Sequence, residues 1–376
     1  MTSVLQWIGP LSVTERALIG IALILLVVSV LIAVTVFFVG ARRAAIGWVV
    51  ILVASVAALL FLPISTAGLT ASPNPTRSYA DALERFAAHA DNAPEPLNPF
   101  CESRLLGHGQ RTDKVFVLLH GVSSCPQAFV DFAPLLYGRG HNVLVLRLPQ
   151  HGYADRGTDA LRYLTANKLA TFADEAVDMA TGLGDEVVVV GISTGGTIAG
   201  WLAQNRPEVD RAVLAAPFFG LSGFGPKMNL ILMRAMLMLP DVSIWKDPVM
   251  REKSDKVMPH AYMRQSTRAT GEIMRLGFAT YREAQEAAPR ASEIVVVTNE
   301  ADTAVSNETT EAFEAVWKAQ GAELVTYTFG AEHQLGHELF DPLEPGSNPS
   351  LTYPILLQLA ETGTVPQAAS APATPD

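Results

Sequence analysis

The sequence predicts an α/β domain with a mostly parallel sheet, preceded by two transmembrane helices. Three observations predict this fold class: short β-rich runs alternate with helical stretches, one run is apolar on both faces, and two long segments near the amino terminus carry no ionisable residue. The alternation is typical of a parallel sheet with crossover helices. The run Val187–Val190 is apolar on both faces, as a central parallel strand has to be.

Composition narrows the class of protein. The chain has 376 residues, of which 49% are hydrophobic and 17% charged, and its formal net charge is −10. A disordered polyelectrolyte is excluded because it needs low hydrophobicity and high charge. No nucleic-acid partner is expected, since a surface that binds phosphates needs an excess of Lys and Arg. Two cysteines cannot form a disulfide scaffold or a four-thiolate zinc site, but they can form one bridge.

The two apolar segments, residues 17–39 and 44–62, predict a membrane anchor over residues 1–66. At a rise of 1.5 Å per residue, each is long enough for a hydrocarbon core of about 30 Å. A secretory signal has one shorter apolar stretch, and the alternative is a buried helical pair in a soluble domain. The basic pair Arg42 and Arg43 lies between the segments. By the positive-inside rule this loop faces the cytoplasm, so we expect a multi-pass protein whose domain is extracytoplasmic.

The rest of the chain divides into three parts. Residues 67–112 are predicted to be a tether and lead-in, and residues 113–362 the α/β domain. Within that domain, residues 218–290 have helical character and are too long for a crossover, which predicts an inserted helical cap. The Met-rich residues 225–240 of the cap are candidates for an acyl pocket, with ordinary cap core as the alternative. Residues 363–376, rich in Ala, Pro and Thr, are predicted to be a disordered tail.

Six β-rich runs and five helical stretches carry this prediction. The predicted strands are Val115–Leu119, Asn142–Leu146, Glu186–Val190, Ala212–Ala215, Glu293–Thr298 and Glu323–Thr328. The predicted helices are Pro126–Tyr137, Lys168–Leu183, Thr197–Gln204, Glu308–Gln320 and Thr352–Leu359.

A G-x-S-x-G motif, Gly191–Gly195, directly follows the central predicted strand. Such a strand-to-helix turn needs small residues around a strained serine, and it exposes the hydroxyl at the amino end of a helix. Ser193 is therefore the candidate nucleophile. A Gly-rich phosphate-binding loop is the competing interpretation, but it requires a Lys that the motif lacks.

The first predicted core strand runs into His120-Gly121-Val122. An oxyanion hole needs two backbone N–H groups aimed at one point, and a glycine lets the loop bend to supply one of them. We expect Val122 and Thr194 to provide these donors. For His120 we favour a role in bracing the loop over a role as catalytic base.

A serine nucleophile needs a base, and the base needs an orienting carboxylate. Asp302 follows the predicted strand Glu293–Thr298 and is favoured over Glu300, which lies nearer the strand. Two histidines, His333 and His337, follow the last predicted strand. A metal pair on one helical turn is the less favoured alternative, because the H-E-x-x-H pattern fails. The order Ser, Asp, His is that of the α/β-hydrolase fold.

With these motifs in place, residues 113–360 resemble the α/β hydrolases of the esterase, monoacylglycerol lipase and serine aminopeptidase group. The resemblance implies an α/β-hydrolase fold, a helical cap and a serine hydrolase that needs no cofactor or metal. The run Leu335–Pro342 resembles a subgroup of bacterial hydrolases in which the histidine is followed by an acidic residue and then by Asp-Pro. On this ground His337 is favoured over His333 as the base. Asn98–Cys101 and Cys125 are also similar to that subgroup.

Cys101 and Cys125 form a possible disulfide. One precedes the first core strand and the other lies in the loop after it, so the chain can bring them together. In an oxidising compartment such a bridge persists, whereas in a cytosolic domain both thiols stay free.

The sequence thus predicts a membrane-tethered serine hydrolase that cleaves small-molecule or lipid-like carboxylic esters through an acyl-enzyme. Within enzymes, an amidase, peptidase or acyltransferase shares the same first step. A non-catalytic binding or scaffold protein on the same fold is the alternative from another class. The sequence does not predict the oligomeric state.

Overall fold

A computed structural model describes residues 28–253 and 257–366. Seven strands form one sheet in the order β1-β3-β2-β4-β5-β8-β9, and only β1 runs antiparallel to its neighbour. Two further strands, β6 and β7, form a small antiparallel pair in the cap. The strands are β1 (Arg104–Leu106), β2 (Thr112–Leu119), β3 (Asn142–Leu146), β4 (Gly184–Ile192), β5 (Arg211–Ala215), β6 (Ser243–Trp245), β7 (Arg264–Ser266), β8 (Glu293–Asn299) and β9 (Leu324–Phe329).

Helices flank the sheet and make up most of the region predicted as a cap. The helices are α1 (Ala41–Phe61), α2 (Tyr79–Asp91), α3 (Phe132–Tyr137), α4 (Ala166–Ala180), α5 (Thr194–Asn205), α6 (Pro226–Met238), α7 (Thr267–Glu286), α8 (Asn307–Ala319) and α9 (Pro349–Thr362). All six predicted strands are present in the sheet. The predicted helix Pro126–Tyr137 is split into a 3₁₀ turn, Pro126–Phe129, and α3. The architecture confirms the predicted α/β-hydrolase fold, with its mostly parallel sheet and flanking helices.

The central strands are buried on both faces, which explains their continuous apolar sequence. Val187–Val190 in β4 and Val115–Leu119 in β2 are at most 3% exposed. The parallel register aligns Leu119 with Gly191 and Ile192 with Ala215. The carboxyl ends of β2, β4 and β5 therefore meet at one edge of the sheet, where open α/β sheets bind their ligands.

The predicted tether and lead-in is folded onto the domain. Leu69 is fully buried, and its carbonyl accepts a 2.8 Å hydrogen bond from Trp201 Nε1 of α5. The amides of Ser72 and Asn74 donate to carboxylates of α4. The segment also contains α2 and the edge strand β1, neither of which the sequence predicted as an element.

Residues 28–39 and α1 occupy the region of the predicted anchor. Residues 17–27 of the first predicted span lie outside the described residues, as do residues 367–376 of the predicted tail. Among the helices that the structure describes, none combines the length and the apolarity needed to cross a membrane. After α1, the carbonyl of Leu62 accepts a 2.6 Å hydrogen bond from Arg234 of the cap helix α6.

The region predicted as a cap holds α6, the β6-β7 pair and α7. Helix α7 packs against α4 and α5, and so joins the cap to the layer of helices beside the sheet. A loop segment before β7, residues 257–263, reaches over the carboxyl edge of the sheet. There the amide of Tyr262 donates a 2.7 Å hydrogen bond to the carbonyl of Ser123.

Candidate active site

Ser193 occupies the sharp turn between β4 and α5. Its φ of 56° and ψ of −114° form a strained conformation that a serine rarely adopts. Its amide donates a 3.0 Å hydrogen bond to the carbonyl of Ala215. The turn also explains two glycines of the motif, since a Cβ at Gly191 would strike the Gly195 carbonyl and one at Gly195 would strike the Leu119 carbonyl. The motif therefore folds as a nucleophile elbow.

Two backbone N–H groups beside this serine have no acceptor in the described part of the chain. They belong to Val122, in the loop after β2, and to Thr194, the first residue of α5. The N-terminus of α5 adds its partial positive charge at the same place. These are the two residues that the sequence predicted as oxyanion donors.

His120 is fully buried and braces the loop that carries Val122. Its Nε2 accepts a 3.1 Å hydrogen bond from the amide of Leu148, so its proton lies on Nδ1, 2.8 Å from the carbonyl of Gly121. Burial, with neighbouring His151 and Arg147, keeps the pKa of His120 well below its usual value, although the Gly121 carbonyl opposes this. A neutral imidazole with both nitrogens engaged is not available as a catalytic base.

Asp302 and His337 form the hydrogen-bonded pair that a serine nucleophile needs. His337 Nδ1 donates to Asp302 Oδ2 at 2.7 Å, and the Asp302 side chain is fully buried. Burial by itself raises the pKa of the Asp302 carboxyl, but His337 and the amides of Ala304 and Val305 together hold that pKa below its usual value. The carboxylate therefore stays charged and fixes the orientation of the imidazole.

His333 and Glu300, the less favoured candidates for the base and the acid, have other partners. The His333 side chain is 36% exposed and lies 3.6 Å from the Glu332 carboxylate, at the end of a 3₁₀ turn. Glu300 Oε2 accepts a 3.0 Å hydrogen bond from the amide of Ala331.

Sequence reasoning missed Asn299, the last residue of β8. It is fully buried, and its Nδ2 donates to the carbonyls of Leu335 and Gly336 at 3.1 and 3.0 Å. These bonds tie the loop of the candidate acid to the loop of the candidate base. The only signal in the sequence is an amide at the end of an apolar strand, which does not reveal its partner.

Cys101 and Cys125 form a disulfide between two fully buried residues. Cys125 ends the loop that begins at His120, while Cys101 lies in the 3₁₀ turn before β1. The bridge thus anchors the candidate oxyanion loop to the lead-in segment.

The Met-rich helix α6 is partly buried: Met233 belongs to the hydrophobic core, and Leu230, Met236 and Leu237 pack against that core. Only Asn229 and Met233 are buried along it, and Met228 and Met238 are nearly half exposed. A mostly apolar cavity of about 200 Å³ lies between α6, α7 and α8. Neither Ser193 nor His337 lines this cavity, so its relation to an acyl chain stays a hypothesis.

Comparison with known proteins supports the fold. The monoglyceride lipase of Saccharomyces cerevisiae, solved as a soluble variant with a substrate analogue, matches at 15% identity with a TM-score of 0.53, over 74% of this chain and 98% of the lipase. A monoacylglycerol lipase of Paleococcus ferrophilus and a metagenome-derived lipolytic enzyme each match at 18% identity over 64% of this chain and 91% of theirs, with TM-scores of 0.48 and 0.49. No curated protein matches in a sequence search.

The sequence profile described as Alpha/beta hydrolase family matches residues 116–344, more than half of the chain. This stretch runs from β2 to the loop after His337, and so includes the elbow serine and the Asp302–His337 pair. The chain therefore belongs to the alpha/beta hydrolase family.

Proposed function

We propose that this protein is a serine hydrolase that cleaves carboxylic esters through an acyl-enzyme on Ser193. The observation that carries the proposal is the juxtaposition at the carboxyl edge of the sheet. A strained elbow serine, the hydrogen-bonded pair of buried Asp302 with His337, and two N–H groups without an acceptor among the described residues follow the ends of parallel strands of one sheet. Acyl transfer requires each of these features, namely a nucleophile, a base with its orienting carboxylate, and donors for the oxyanion.

In this mechanism Ser193 Oγ attacks the ester carbonyl while His337 Nε2 takes its proton. Asp302 holds the imidazole through Nδ1 and stabilises the positive charge that it acquires. The N–H groups of Val122 and Thr194 bind the oxyanion of the tetrahedral intermediate. His337 then gives its proton to the departing alcohol. A water molecule, deprotonated by the same imidazole, attacks the acyl-enzyme and releases the acid.

In the described part of the chain Ser193 Oγ makes no hydrogen bond, although the residue is only 3% exposed. Catalytic hydrogen bonds are often long in free enzymes and tighten when substrate binds. The bond between Ser193 Oγ and His337 Nε2 belongs to that substrate-bound state.

Covalent labelling tests the nucleophile. The full-length protein should react with a fluorophosphonate at Ser193, and peptide mass spectrometry should locate the adduct there. Ser193→Ala should abolish labelling and lower kcat for a p-nitrophenyl ester by about 10⁴-fold or more, as loss of a triad serine does in other hydrolases. A non-catalytic binding protein on this fold would not be labelled, and this outcome would reject the enzyme.

The two histidines form a matched pair of variants for the base. His337→Ala should lose activity on the scale of Ser193→Ala because it removes the base. His333→Ala should stay within about twofold of the parent, since exposed side chains outside such sites contribute little. Equal losses in both variants would contradict the assignment.

A lipid-like acyl ester is the substrate class that we propose. The support is chemical: the Met-rich helix α6 lines a mostly apolar cavity, and Met side chains adapt to flexible apolar ligands. Specificity constants for p-nitrophenyl esters from acetyl to decanoyl should depend on acyl length, and matched anilides should react far more slowly. Indifference to acyl length would reject the lipid-like acyl group, and faster anilides would favour an amidase or peptidase.

We also propose that residues 1–66 tether the domain to a membrane, with the domain on the extracytoplasmic side. Apolar side chains such as Phe37 and Val49 are 83% and 59% exposed on the amino-terminal helices, and extended apolar surfaces mark sites of membrane or protein contact. The Cys101–Cys125 bridge supports an oxidising compartment. Alkaline carbonate should leave the protein in the membrane pellet, and externally added protease should reach the domain in intact cells. Release by carbonate would contradict the tether.

A further inference from the structure

The residue directly after His337 is Glu338, and its carboxyl is buried beside the nucleophile. Glu338 is 6% exposed. A methyl group placed on the Cα of Gly121 would lie 3.4 Å from Glu338 Oε2, 3.2 Å from Ser193 Cβ and 3.7 Å from Ser193 Oγ. The Glu338 carboxyl and Ser193 therefore both lie against Gly121 of the candidate oxyanion loop, in space that a larger residue at position 121 would occupy.

The surroundings of this carboxyl do not suit a negative charge. Glu338 Oε1 is buried and has no hydrogen-bond partner among the residues that the structure describes. The fully buried Asp341 side chain lies three residues on, and its carboxylate is already paired with His260 Nε2 of the cap at 2.8 Å. Lys246, on the cap beside β6, forms no ion pair with Glu338 within the described residues.

Two carboxylates near Glu338 act in the same direction as its burial, and one lysine acts against it. Burial, followed by the carboxylates of Asp341 and Glu344, raises the pKa of Glu338 well above its usual value, while the Phe340 amide and Lys246 partly oppose this. His120, which precedes Gly121, is neutral and adds no positive charge. His337, a residue of the proposed triad, directly precedes Glu338 in the chain.

We propose that Glu338 is a positioning residue that supports Ser193 and the Gly121 loop in its uncharged form, and that its ionisation switches the site off at alkaline pH. The inference rests on the proposed acyl-enzyme mechanism. An oxyanion that develops near Val122 and Thr194 is destabilised by a second negative charge in a water-poor site, where charges interact strongly. An uncharged carboxyl leaves the oxyanion hole intact, whereas a carboxylate opposes it.

The test is the pH dependence of fluorophosphonate labelling, because labelling reports the first chemical step alone. In the full-length parent protein, the labelling rate constant should fall at alkaline pH, by up to tenfold per pH unit. Glu338→Gln keeps the size and the hydrogen-bonding capacity but cannot ionise. It should label within about threefold of the parent at pH 7 and lack the alkaline fall up to pH 10.

Two further variants separate positioning from packing. Glu338→Ala should label more slowly at every pH, because it removes the support of the loop as well as the ionisation. The matched control Glu332→Gln changes a carboxyl on the same loop that is 74% exposed, and it should keep the parent profile throughout.

An alkaline fall that persists unchanged in Glu338→Gln, or a parent protein with no fall up to pH 10, would overturn the inference. A labelling rate more than 100-fold lower in Glu338→Gln at pH 7 would also overturn the inference, because such a loss would mean that the site needs an ionisable carboxyl at position 338. Failure of the parent protein to be labelled at Ser193 would instead reject the proposed function, so the two failures are distinguishable.

Discussion

Acidification should destabilise this protein through its buried histidines, and His151 provides a magnitude. Its ring is fully buried, with Nδ1 2.8 Å from the carbonyl of Pro149, and Nε2 has no hydrogen-bond partner within residues 28–253 and 257–366. Burial lowers the pKa of His151 to about 4, with the Arg147 guanidinium acting in the same direction and the Pro149 carbonyl opposing it. The unfolded chain keeps the usual pKa of about 6.5.

The direction of the effect follows from proton binding. Below pH 6.5 the unfolded chain binds a proton at His151 and the folded protein does not. The contribution of His151 to the free energy of unfolding is therefore fully present above pH 6.5 and is lost as the pH falls towards 4. At about 1.4 kcal/mol per pKa unit, this single group lowers the free energy of unfolding by about 2 kcal/mol between pH 8 and pH 5. His120 and His89, whose pKa values are also lowered by burial, add to the same loss.

Urea unfolding of the full-length protein at both pH values measures this quantity, with tryptophan fluorescence as the probe. His151→Gln keeps a side-chain donor for the Pro149 carbonyl but cannot be protonated. Whatever its stability at pH 8, it should lose about 2 kcal/mol less than the parent on going to pH 5. The exposed control His333→Gln should lose as much as the parent. If His151→Gln and the parent lose the same free energy, the burial argument is refuted.

Three shorter predictions concern other parts of the fold. Arg206→Met should lower the free energy of unfolding by about 3–5 kcal/mol in urea, because it strands two buried carboxylates of α4 that Arg206 binds at 2.7 and 2.6 Å. Reduction of the Cys101–Cys125 bridge should cost about 3 kcal/mol in the same assay, and thiol titration of unreduced, unfolded protein should detect no free thiol. Gly195→Ala should prevent folding, as judged by the near-UV circular dichroism, because its Cβ would strike the Leu119 carbonyl.

The sheet and the elbow were predictable because their signals are local. A run such as Val187–Val190 identifies a buried strand by itself. The motif Gly191–Gly195 contains all the residues of the turn, and its glycines indicate that the backbone there is strained. The His337–Asp302 pairing needed one further step, the order of the strand ends along the chain. The structure adds the hydrogen bond between them at 2.7 Å, which separates His337 from His333.

Other features were not predictable because they depend on contacts between distant segments. The segment predicted as a tether looks flexible in composition, yet its amides at Ser72 and Asn74 pair with carboxylates about 100 residues later in the chain. Asn299 and Glu338 are ordinary polar residues in sequence. Their importance depends on the residues that surround them in the folded protein, and the local sequence does not indicate which residues those are.

The predicted cap and the candidate oxyanion loop are joined by a hydrogen bond, and in the proposed mechanism this has a consequence for catalysis. The cap segment 257–263 holds the carbonyl of Ser123, whose φ of 64° is itself strained, and reaches Asp341 through His260. The disulfide at Cys125 fixes the other end of the loop. Oxyanion donors are effective only when they are held in place before the reaction. In the proposed mechanism, a cap that opens to admit substrate must close again, with segment 257–263 in place, before the Val122 N–H can bind the oxyanion. Substitutions in the cap should therefore alter kcat as well as KM.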